Sequence, residues 1–174
     1  MKSGKDVILV GGFQEMIELC EECGVNIVGI IDRNLRGGKF VYPVIGSDED
    51  AIDLFPKYGN CHLVLTPDAP AIRKKLYWHY SRIGYEFASI VSPRATLSRS
   101  ATIGKGTVIQ AGVNISSDTK IGNFVKINTN ANVMHDNRVD DFVTIAPNAV
   151  LLGRVNIGES AYIGSNSMSC AEKS

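Results

Sequence analysis

The sequence predicts a small parallel α/β domain over residues 1–90, followed by a parallel β-helix over residues 91–168. Two observations predict this division. Before residue 91, apolar strand-like runs alternate with helical patterns, as they do in parallel α/β folds. From residue 91 onward, an aliphatic residue recurs at every sixth position. No helix produces that period, whereas a solenoid of short stacked strands does. Residues 169–174 are assigned to a tail.

The elements of the first region follow from local patterns in chain order. Apolar runs predict strands at residues 7–10, 26–31, 61–66 and 86–91, and an extended segment at 40–46. Helical patterns cover residues 11–24, 47–55 and 69–84. The first helix is expected to stop at Gly24. The second begins with Ser47 as N-cap and Asp50 at N3, a variant of the capping box. Pro70 lies in the first turn of the third.

The β-helix is predicted by one uninterrupted series of inward-facing residues. The series consists of Val91, Leu97, Ile103, Ile109, Ile115, Ile121, Ile127, Val133, Val139, Ile145, Leu151, Ile157 and Ile163. Four residues after each comes a mostly small or β-branched residue, and Asn137 is the one clear break in this second series. Glycine follows several of the aliphatic residues, as in "IGKG", where the chain must turn a corner.

Composition limits the classes of function. Lysine plus arginine and aspartate plus glutamate each number 18, so the chain lacks the basic footprint of a nucleic-acid binder. The apolar runs are too short for a signal peptide or a membrane span. A cytoplasmic protein without nucleic-acid or membrane partners is therefore expected. Cys20 and Cys23 have no second pair to complete a zinc site, and we assign them packing roles and no metal.

The repeat tract resembles the hexapeptide-repeat superfamily of left-handed parallel β-helices. The whole chain resembles bacterial sugar acyltransferases of the sialic acid O-acetyltransferase type, which include N-acetyltransferases of nucleotide-linked 4-amino-sugars. The motifs are "VILVGG", "IVGIID", "YPVIGSDEDA" and "INTNANVMHD". Handedness is taken from the resemblance, because parallel crossovers are usually right-handed. The resemblance implies a Rossmann-like first domain, acetyl-CoA as donor, a UDP-4-amino-sugar acceptor and a homotrimer.

The histidine-acid pair of the last motif is the main catalytic candidate. His135 follows the inward Val133 by two residues, so we expect it at an outward corner. Residues 18 apart should stack about 4.8 Å apart, which places Gly153 over His135 and Arg154 over Asp136. A corner histidine that is merely solvated is the ordinary alternative. Imidazole, with a usual pKa of about 6.5, suits proton removal from a nucleophile that attacks a thioester. The resemblance implies His135 as general base and Asp136 as the group that orients it.

Further site residues come from the same resemblance. Asn128 corresponds to a position that contacts the acceptor sugar. Thr144 occupies a position where many relatives carry a second histidine, and a threonine there can bond a ligand but cannot act as a base. Coenzyme A is expected near Thr144, Ala146, Gly153 and Gly164. A backbone N–H near Gly153 or Ala146 is a candidate donor to the oxyanion of the tetrahedral intermediate.

The first domain is expected to hold the acceptor. "GGFQE" after the first strand could cradle a phosphate through backbone N–H groups at a helix start. It lacks the second and third glycines of the dinucleotide fingerprint, so a dinucleotide is a poor fit. Asp32, at the end of the second strand, could contact a ribose or uracil or could simply cap the strand. The resemblance implies that Gly11, Gly12, Asp32 and Arg33 contact the UDP-sugar.

One rival is excluded and two alternatives remain beside this hypothesis. A zinc carbonic anhydrase on the same β-helix needs three histidine ligands in or near it, and it fails on counting, because the chain has only His62, His79 and His135 and the first two lie in the other domain. The first remaining alternative is a sialic acid or sugar O-acetyltransferase. The second is a family member with little or no activity, because the repeat ends before Ser169 and would leave strand edges unpaired. On that view sugar-nucleotide binding persists and acetyl-CoA binding is weak.

Exposed aliphatics such as Val108 and Leu152 are expected to form the three-fold interface of the homotrimer.

Overall fold

A computed structural model describes residues 6–32 and 40–170, which divide into two compact units. The N-terminal unit contains residues 6–32, 40–67 and 72–88, and the C-terminal unit contains residues 68–71 and 89–170. The change of unit after Ala88 lies close to the predicted boundary at residue 90. The assignment of Asp68–Ala71 to the C-terminal unit was not indicated by any sequence pattern.

The N-terminal unit is built on one parallel sheet with the strand order β3-β2-β1-β4-β5. Its strands are β1 Asp6–Val10, β2 Asn26–Ile31, β3 Val44–Gly46, β4 His62–Leu65 and β5 Glu86–Phe87. Its helices are α1 Gln14–Glu22, α2 Ala51–Tyr58 and α3 Pro70–Ile83, with a 3₁₀ turn at Asp48–Asp50. The order reverses beside β1, where β2 pairs on one side and β4 on the other. The α/β prediction is confirmed for this unit.

Helix α1 shows why the local pattern succeeded. Met16, Ile17 and Leu19 are buried on one face of the helix, as their spacing predicts. Cys20 is fully buried beside them, and burial raises the pKa of its thiol to about 12. The thiol therefore stays protonated and packs as a small hydrophobe. The helix ends before Gly24, which takes the left-handed φ of +67°, the usual conformation after a helix C-terminus.

The second predicted helix is divided in the structure. Ser47 donates its backbone N–H to Asp50 Oδ2 at 2.8 Å, as the capping-box pattern predicts. This bond and the one from the Ser47 hydroxyl lower the pKa of Asp50. The first three residues after Ser47 form a 3₁₀ turn, and α2 begins only at Ala51. The predicted extended segment at 40–46 is a strand over Val44–Gly46 alone.

The C-terminal unit is a parallel β-helix of two-residue strands. These are β6 Ile90–Val91, β7 Thr96–Leu97, β8 Thr102–Ile103, β9 Val108–Ile109, β10 Asn114–Ile115, β11 Lys120–Ile121, β12 Lys126–Ile127, β13 Asn132–Val133, β14 Arg138–Val139, β15 Thr144–Ile145, β16 Val150–Leu151, β17 Asn156–Ile157, β18 Tyr162–Ile163 and β19 Met168–Ser169. They form three parallel sheets, in which each residue pairs with the residue 18 positions away. This arrangement is consistent with a left-handed β-helix.

The predicted inward series forms the core of this unit. Its members from Ile109 to Ile157 are all at most 8% exposed, which confirms the six-residue period as a burial pattern. Val91 differs, because it is 36% exposed. It still stands in the inward column, because it pairs with Ile109, but its strand β6 ends its sheet and pairs with β9 on one side only, so the end of the core is exposed there.

The corners show which glycines the turn requires. A left-handed φ recurs every six residues, three positions after each inward residue from Ile103 onward, at Gly106, Gly112, Asp118, Phe124, Asn130, Asp136, Phe142, Asn148, Arg154, Ser160 and Asn166. The glycine directly after the aliphatic residue is not left-handed, so the reason given for it from the sequence is wrong. A Cβ on Gly122 would lie 2.8 Å from the carbonyl carbon of Asp140. Close stacking of neighbouring coils therefore requires glycine there.

One face of the β-helix is covered where the sequence analysis expected exposed aliphatics. In the sheet that contains β6, β9, β12, β15 and β18, the outward residues of the first four strands, Ile90, Val108, Lys126 and Thr144, are each at most 5% exposed, whereas Tyr162 of β18 is 56% exposed. The prediction that Val108 is exposed is therefore wrong. Leu152 is 37% exposed, as predicted. None of the helices in the described part of the chain combines the length and apolar composition that crossing a bilayer requires.

Candidate active site at a corner of the β-helix

His135 and Asp136 lie in the corner that joins β13 to β14. The imidazole Nδ1 is 2.9 Å from Asp136 Oδ2. The side chains of His135 and Asp136 are 48% and 45% exposed, so the pair faces outward, as predicted. Asp136 takes a left-handed φ of +59°, a conformation that aspartate tolerates better than most residues. The left-handed turn thus places the carboxylate beside the ring of the preceding residue.

Gly153 lies against the imidazole, as the stacking by 18 residues predicts, and the ring occupies the place that a side chain at position 153 would need. A Cβ on Gly153 would lie 2.6 Å from His135 Cε1 and 2.8 Å from Nε2. Arg154 donates its backbone N–H to the His135 carbonyl at 3.0 Å, which fixes the two coils in register. Its Nε is 3.7 Å from Asp136 Oδ2. Any side chain larger than hydrogen at position 153 would displace the ring.

This geometry determines which nitrogen of the neutral imidazole carries the proton. A carboxylate within hydrogen-bond distance of Nδ1 accepts a proton from that nitrogen, so Nδ1 is the protonated nitrogen of the neutral ring. Nε2 is then left with its lone pair, on a half-exposed ring that a ligand can reach. The His135–Asp136 pair is therefore arranged to accept a proton at Nε2.

The second predicted acceptor contact lies at a different corner. Asn128 follows β12 and is only 6% exposed. Its Nδ2 donates to Asp68 Oδ1 at 3.2 Å, and Lys126 Nζ lies 3.0 Å from the same oxygen. Thr144 is fully buried, and its hydroxyl donates to the Asp68 carbonyl. This placement gives the Thr144 side chain no exposed surface for a coenzyme.

Sequence reasoning missed Asp68 and Lys126. Lys126 is 5% exposed and forms an ion pair with Asp68 inside the C-terminal unit. One signal was available: Lys126 occupies the same column, 18 residues apart, as Ile90 and Val108. A lysine in an apolar column needs a partner, because a buried charge without one is costly. No comparable signal identified Asp68, which precedes α3 in a loop.

The backbone donors proposed for the oxyanion differ in availability. Ala146 is fully buried, and its N–H donates to the Ile163 carbonyl at 2.9 Å. Gly153 N–H donates to no protein acceptor among residues 6–32 and 40–170. Gly164 is exposed, and a Cβ there would meet no atom within 4 Å. Of the two candidate donors, only Gly153 has an N–H that is free for a ligand in the described structure.

Three of the four residues predicted to contact the sugar nucleotide, Gly11, Gly12 and Asp32, lie close together after β1 and β2. Gly12 donates its N–H to Asp32 Oδ2 at 3.0 Å, and Gly11 donates to the last residue of β2 at 2.9 Å. A phosphate at Gly12 would have to replace the Asp32 carboxylate. Gly11 has a backbone reason to be glycine, since its φ is +98° and a Cβ would overlap Thr66 Oγ1. Arg33 lies outside the described residues.

The described residues offer no site for a metal ion. Nowhere in residues 6–32 and 40–170 do three or more histidine, cysteine, aspartate or glutamate side chains form a group that could hold one. His135 has Asp136 as its carboxylate partner, but no further ligands gather around its Nε2.

Three solved structures are similar to this chain over nearly its whole length. The acetyltransferase domain of PglB from Neisseria gonorrhoeae, in complex with acetyl coenzyme A, is 27% identical, with a TM-score of 0.86 over 95% of this chain and 82% of that one. A histidine variant of perosamine N-acetyltransferase from Caulobacter crescentus, in complex with CoA and GDP-perosamine, is 29% identical, with a TM-score of 0.84 over 93% and 77%. WeeI from Acinetobacter baumannii is 26% identical, with a TM-score of 0.80 over 93% and 79%. No protein-family model and no curated sequence matches the chain.

Proposed function

We propose, from the premise that the chain belongs to the hexapeptide-repeat sugar N-acetyltransferase family, that it transfers an acetyl group from acetyl-CoA to a nucleotide-linked amino sugar. The observation that carries this proposal is the His135–Asp136 pair, with Nδ1 bonded at 2.9 Å and a half-exposed ring that packs against Gly153. Support comes from the similar structures that hold acetyl coenzyme A, or CoA with GDP-perosamine.

His135 acts as general base in this proposal. Acetyl-CoA supplies the thioester carbonyl that the acceptor amine attacks. His135 Nε2 takes the proton that the amine loses as the new C–N bond forms, and it returns that proton to the thiolate sulfur when the C–S bond breaks. Asp136 holds the Nδ1 proton, so it fixes the tautomer and stabilises the imidazolium that forms between the two steps. Both roles require only groups that the structure places together.

Gly153 supplies the oxyanion donor. The tetrahedral intermediate carries negative charge on the former carbonyl oxygen, and a fixed backbone N–H is a suitable donor to it. The Gly153 N–H is free within the described residues and belongs to the residue stacked on the His135 ring. We assign coenzyme contacts to Gly153 and to the exposed Gly164. Ala146 is left out, because its N–H is used within the sheet.

The sugar nucleotide is assigned to the carboxyl edge of the N-terminal sheet. Gly11 and Gly12 follow β1, next to the point where the strand order reverses, and open parallel sheets bind ligands at such points. Asp32 follows β2 and is half-buried beside Gly12. We propose that these residues, together with Arg33, contact a UDP-sugar. The choice of uracil as the base of the nucleotide is itself part of this proposal.

We propose that the chain forms a homotrimer. His135 lies at an outward corner of the β-helix and is half exposed, so a neighbouring copy in a closed ring of three can complete the site around it. Asn128, at the preceding corner, is 6% exposed with its amide bonded to Asp68, so it offers such an interface little surface. Leu152, 37% exposed next to Gly153, is available to such an interface.

The number of chains in the assembly can be measured directly. Light scattering at working concentration is expected to give three times the mass of the chain. Replacing Leu152 by glutamate should lower that mass, because it introduces a charge into the proposed interface, whereas glutamate at the fully exposed rim position Asn156 should leave it unchanged. A monomeric mass for the unmodified chain contradicts both the interface and the shared site.

The experiment that tests the function is thiol release from acetyl-CoA across a panel of acceptors. We expect release with a UDP-4-amino-sugar or with GDP-perosamine, and none with the matched sugar nucleotides in which a hydroxyl replaces the amine. Release with sialic acid alone would assign O-acetylation to the chain. No release with any acceptor, together with no acetyl-CoA binding by calorimetry, would contradict the proposal and favour a non-catalytic sugar-nucleotide binder.

A further inference from the structure

Asn137 interrupts the second inward series of the β-helix. The equivalent positions in the same coil and the next carry aliphatic residues such as Val143 and Val155. Asn137 is nevertheless 1% exposed, so its amide lies inside the β-helix. A buried amide is costly unless its hydrogen bonds are satisfied. Its contacts therefore show what the interruption does.

Both ends of the Asn137 amide are bonded to backbone groups near the candidate base. Nδ2 donates to the carbonyl of Met134 at 2.9 Å. Oδ1 accepts the N–H of Val155 at 2.6 Å. The Met134 carbonyl also accepts the hydroxyl of Thr119, one coil away, at 2.8 Å. Two buried side chains thus converge on the peptide bond that leads into His135.

The equivalent carbonyl is bonded in different ways at other corners. The carbonyls of Asn128 and Ala146 accept the N–H groups three residues later at 3.3 Å, which is at the long end for an N–H···O bond. The Gly122 carbonyl accepts the Thr107 hydroxyl at 3.0 Å, and the Gly164 carbonyl accepts the Ser167 hydroxyl at 2.6 Å, so a hydroxyl donor at this position recurs in the repeat. What is added at Met134 is the second buried side chain, the amide of Asn137.

We infer that Asn137 is a positioning residue that sets the direction of the His135 side chain. The peptide plane between Met134 and His135 fixes the direction of the His135 Cα–Cβ bond. Rotation of that plane would move the ring away from Asp136 Oδ2 or toward Gly153. In this role Asn137 contacts neither substrate nor coenzyme. The expected effect of Asn137 on turnover rests on the proposed function.

The sharpest test is Asn137→Thr. The repeat already uses threonine at the equivalent position of another coil, where Thr107 accepts the N–H of Val125 at 3.1 Å and donates to the Gly122 carbonyl at 3.0 Å. A threonine at 137 can accept the Val155 N–H in the same way and donate forward to the Leu152 carbonyl. The Val155 N–H then stays satisfied, and the bonds that are lost are those from Nδ2 to the Met134 carbonyl at 2.9 Å and to the Leu151 carbonyl at 3.5 Å.

The expected result is a fall in kcat of about tenfold with both KM values within about twofold of the unmodified chain, because the misplacement affects the reacting base and not ligand binding. The thermal midpoint should change little. Thr107→Val is the matched control: it removes a buried hydroxyl from a corner that lacks His135, so it is expected to lower the thermal midpoint and leave kcat unchanged.

A second readout is independent of activity. The chain contains three histidines, so long-range ¹H–¹⁵N spectra can report the tautomer of His135 once its signals are assigned with His135→Ala. The Nδ1–H form should dominate in the unmodified chain and lose its dominance in Asn137→Thr. An unchanged tautomer with unchanged kcat would overturn the inference, and so would parallel losses of stability and kcat in both variants. If no acceptor is acetylated, the proposed function fails, while the tautomer comparison still decides the role of Asn137.

Discussion

Replacing His135 by alanine is expected to lower kcat for acetyl transfer by about 10²–10⁴-fold, the range that a general base contributes. Nδ1 of this ring is bonded to Asp136 at 2.9 Å, so the variant removes the single nitrogen that can take the proton of the attacking amine. The side chain is 48% exposed and adds little to the core. The trimer and the affinity for the sugar nucleotide should therefore persist, and thiol release should report the loss.

Two matched variants separate the base from general effects of histidine removal. His79→Ala removes an exposed histidine of the N-terminal unit, whose Nε2 contacts the Asp48 carbonyl at 2.8 Å, and it should leave kcat unchanged. Asp136→Asn should lower kcat less than His135→Ala does, because it disturbs the orientation of the ring but keeps Nε2. Near-full acetyl transfer by His135→Ala would show that the corner histidine is only a turn residue.

The repeat was predictable because one physical constraint acts on every coil. Two residues of each six point into a core only a few side chains wide, so Ile109 and its successors must be aliphatic. Stacking by 18 residues predicted the neighbours of His135 from the sequence, including Gly153, which lies against its ring. Regular geometry made these positions computable from residue numbers alone.

The remaining features depend on contacts that no period specifies. Val108 occupies an outward position, and whether such a residue is exposed depends on what covers that face of the sheet, where it is 1% exposed. The bonds of Asp68 to Lys126 and Asn128 join residues about 60 positions apart. Asn137 was visible as an exception, but its acceptor at Met134 depends on the side-chain rotamer. The sequence therefore predicted the position of the His135–Asp136 corner and left its supporting bonds undetermined.

The change Gly153→Ala tests the space above the imidazole with a single methyl group. Gly153 has no left-handed φ, so alanine fits the backbone without strain. Its Cβ would lie 2.6 Å from His135 Cε1 and 2.8 Å from Nε2, well inside van der Waals contact, and the ring must therefore shift. A displacement of about 1 Å at a reacting group can reduce turnover by about 10²-fold, and we expect a loss of kcat of that order.

Gly158→Ala is the control for this change, because a Cβ at Gly158 meets no atom within 4 Å. It introduces the same methyl group into another corner of the β-helix and should leave kcat unchanged. Thermal unfolding of the two variants should differ little, because the displaced ring is half exposed and can move into solvent. A Gly153→Ala chain that keeps the kcat of Gly158→Ala would show that His135 does not react from the position next to Gly153, and the base would then have to be sought elsewhere.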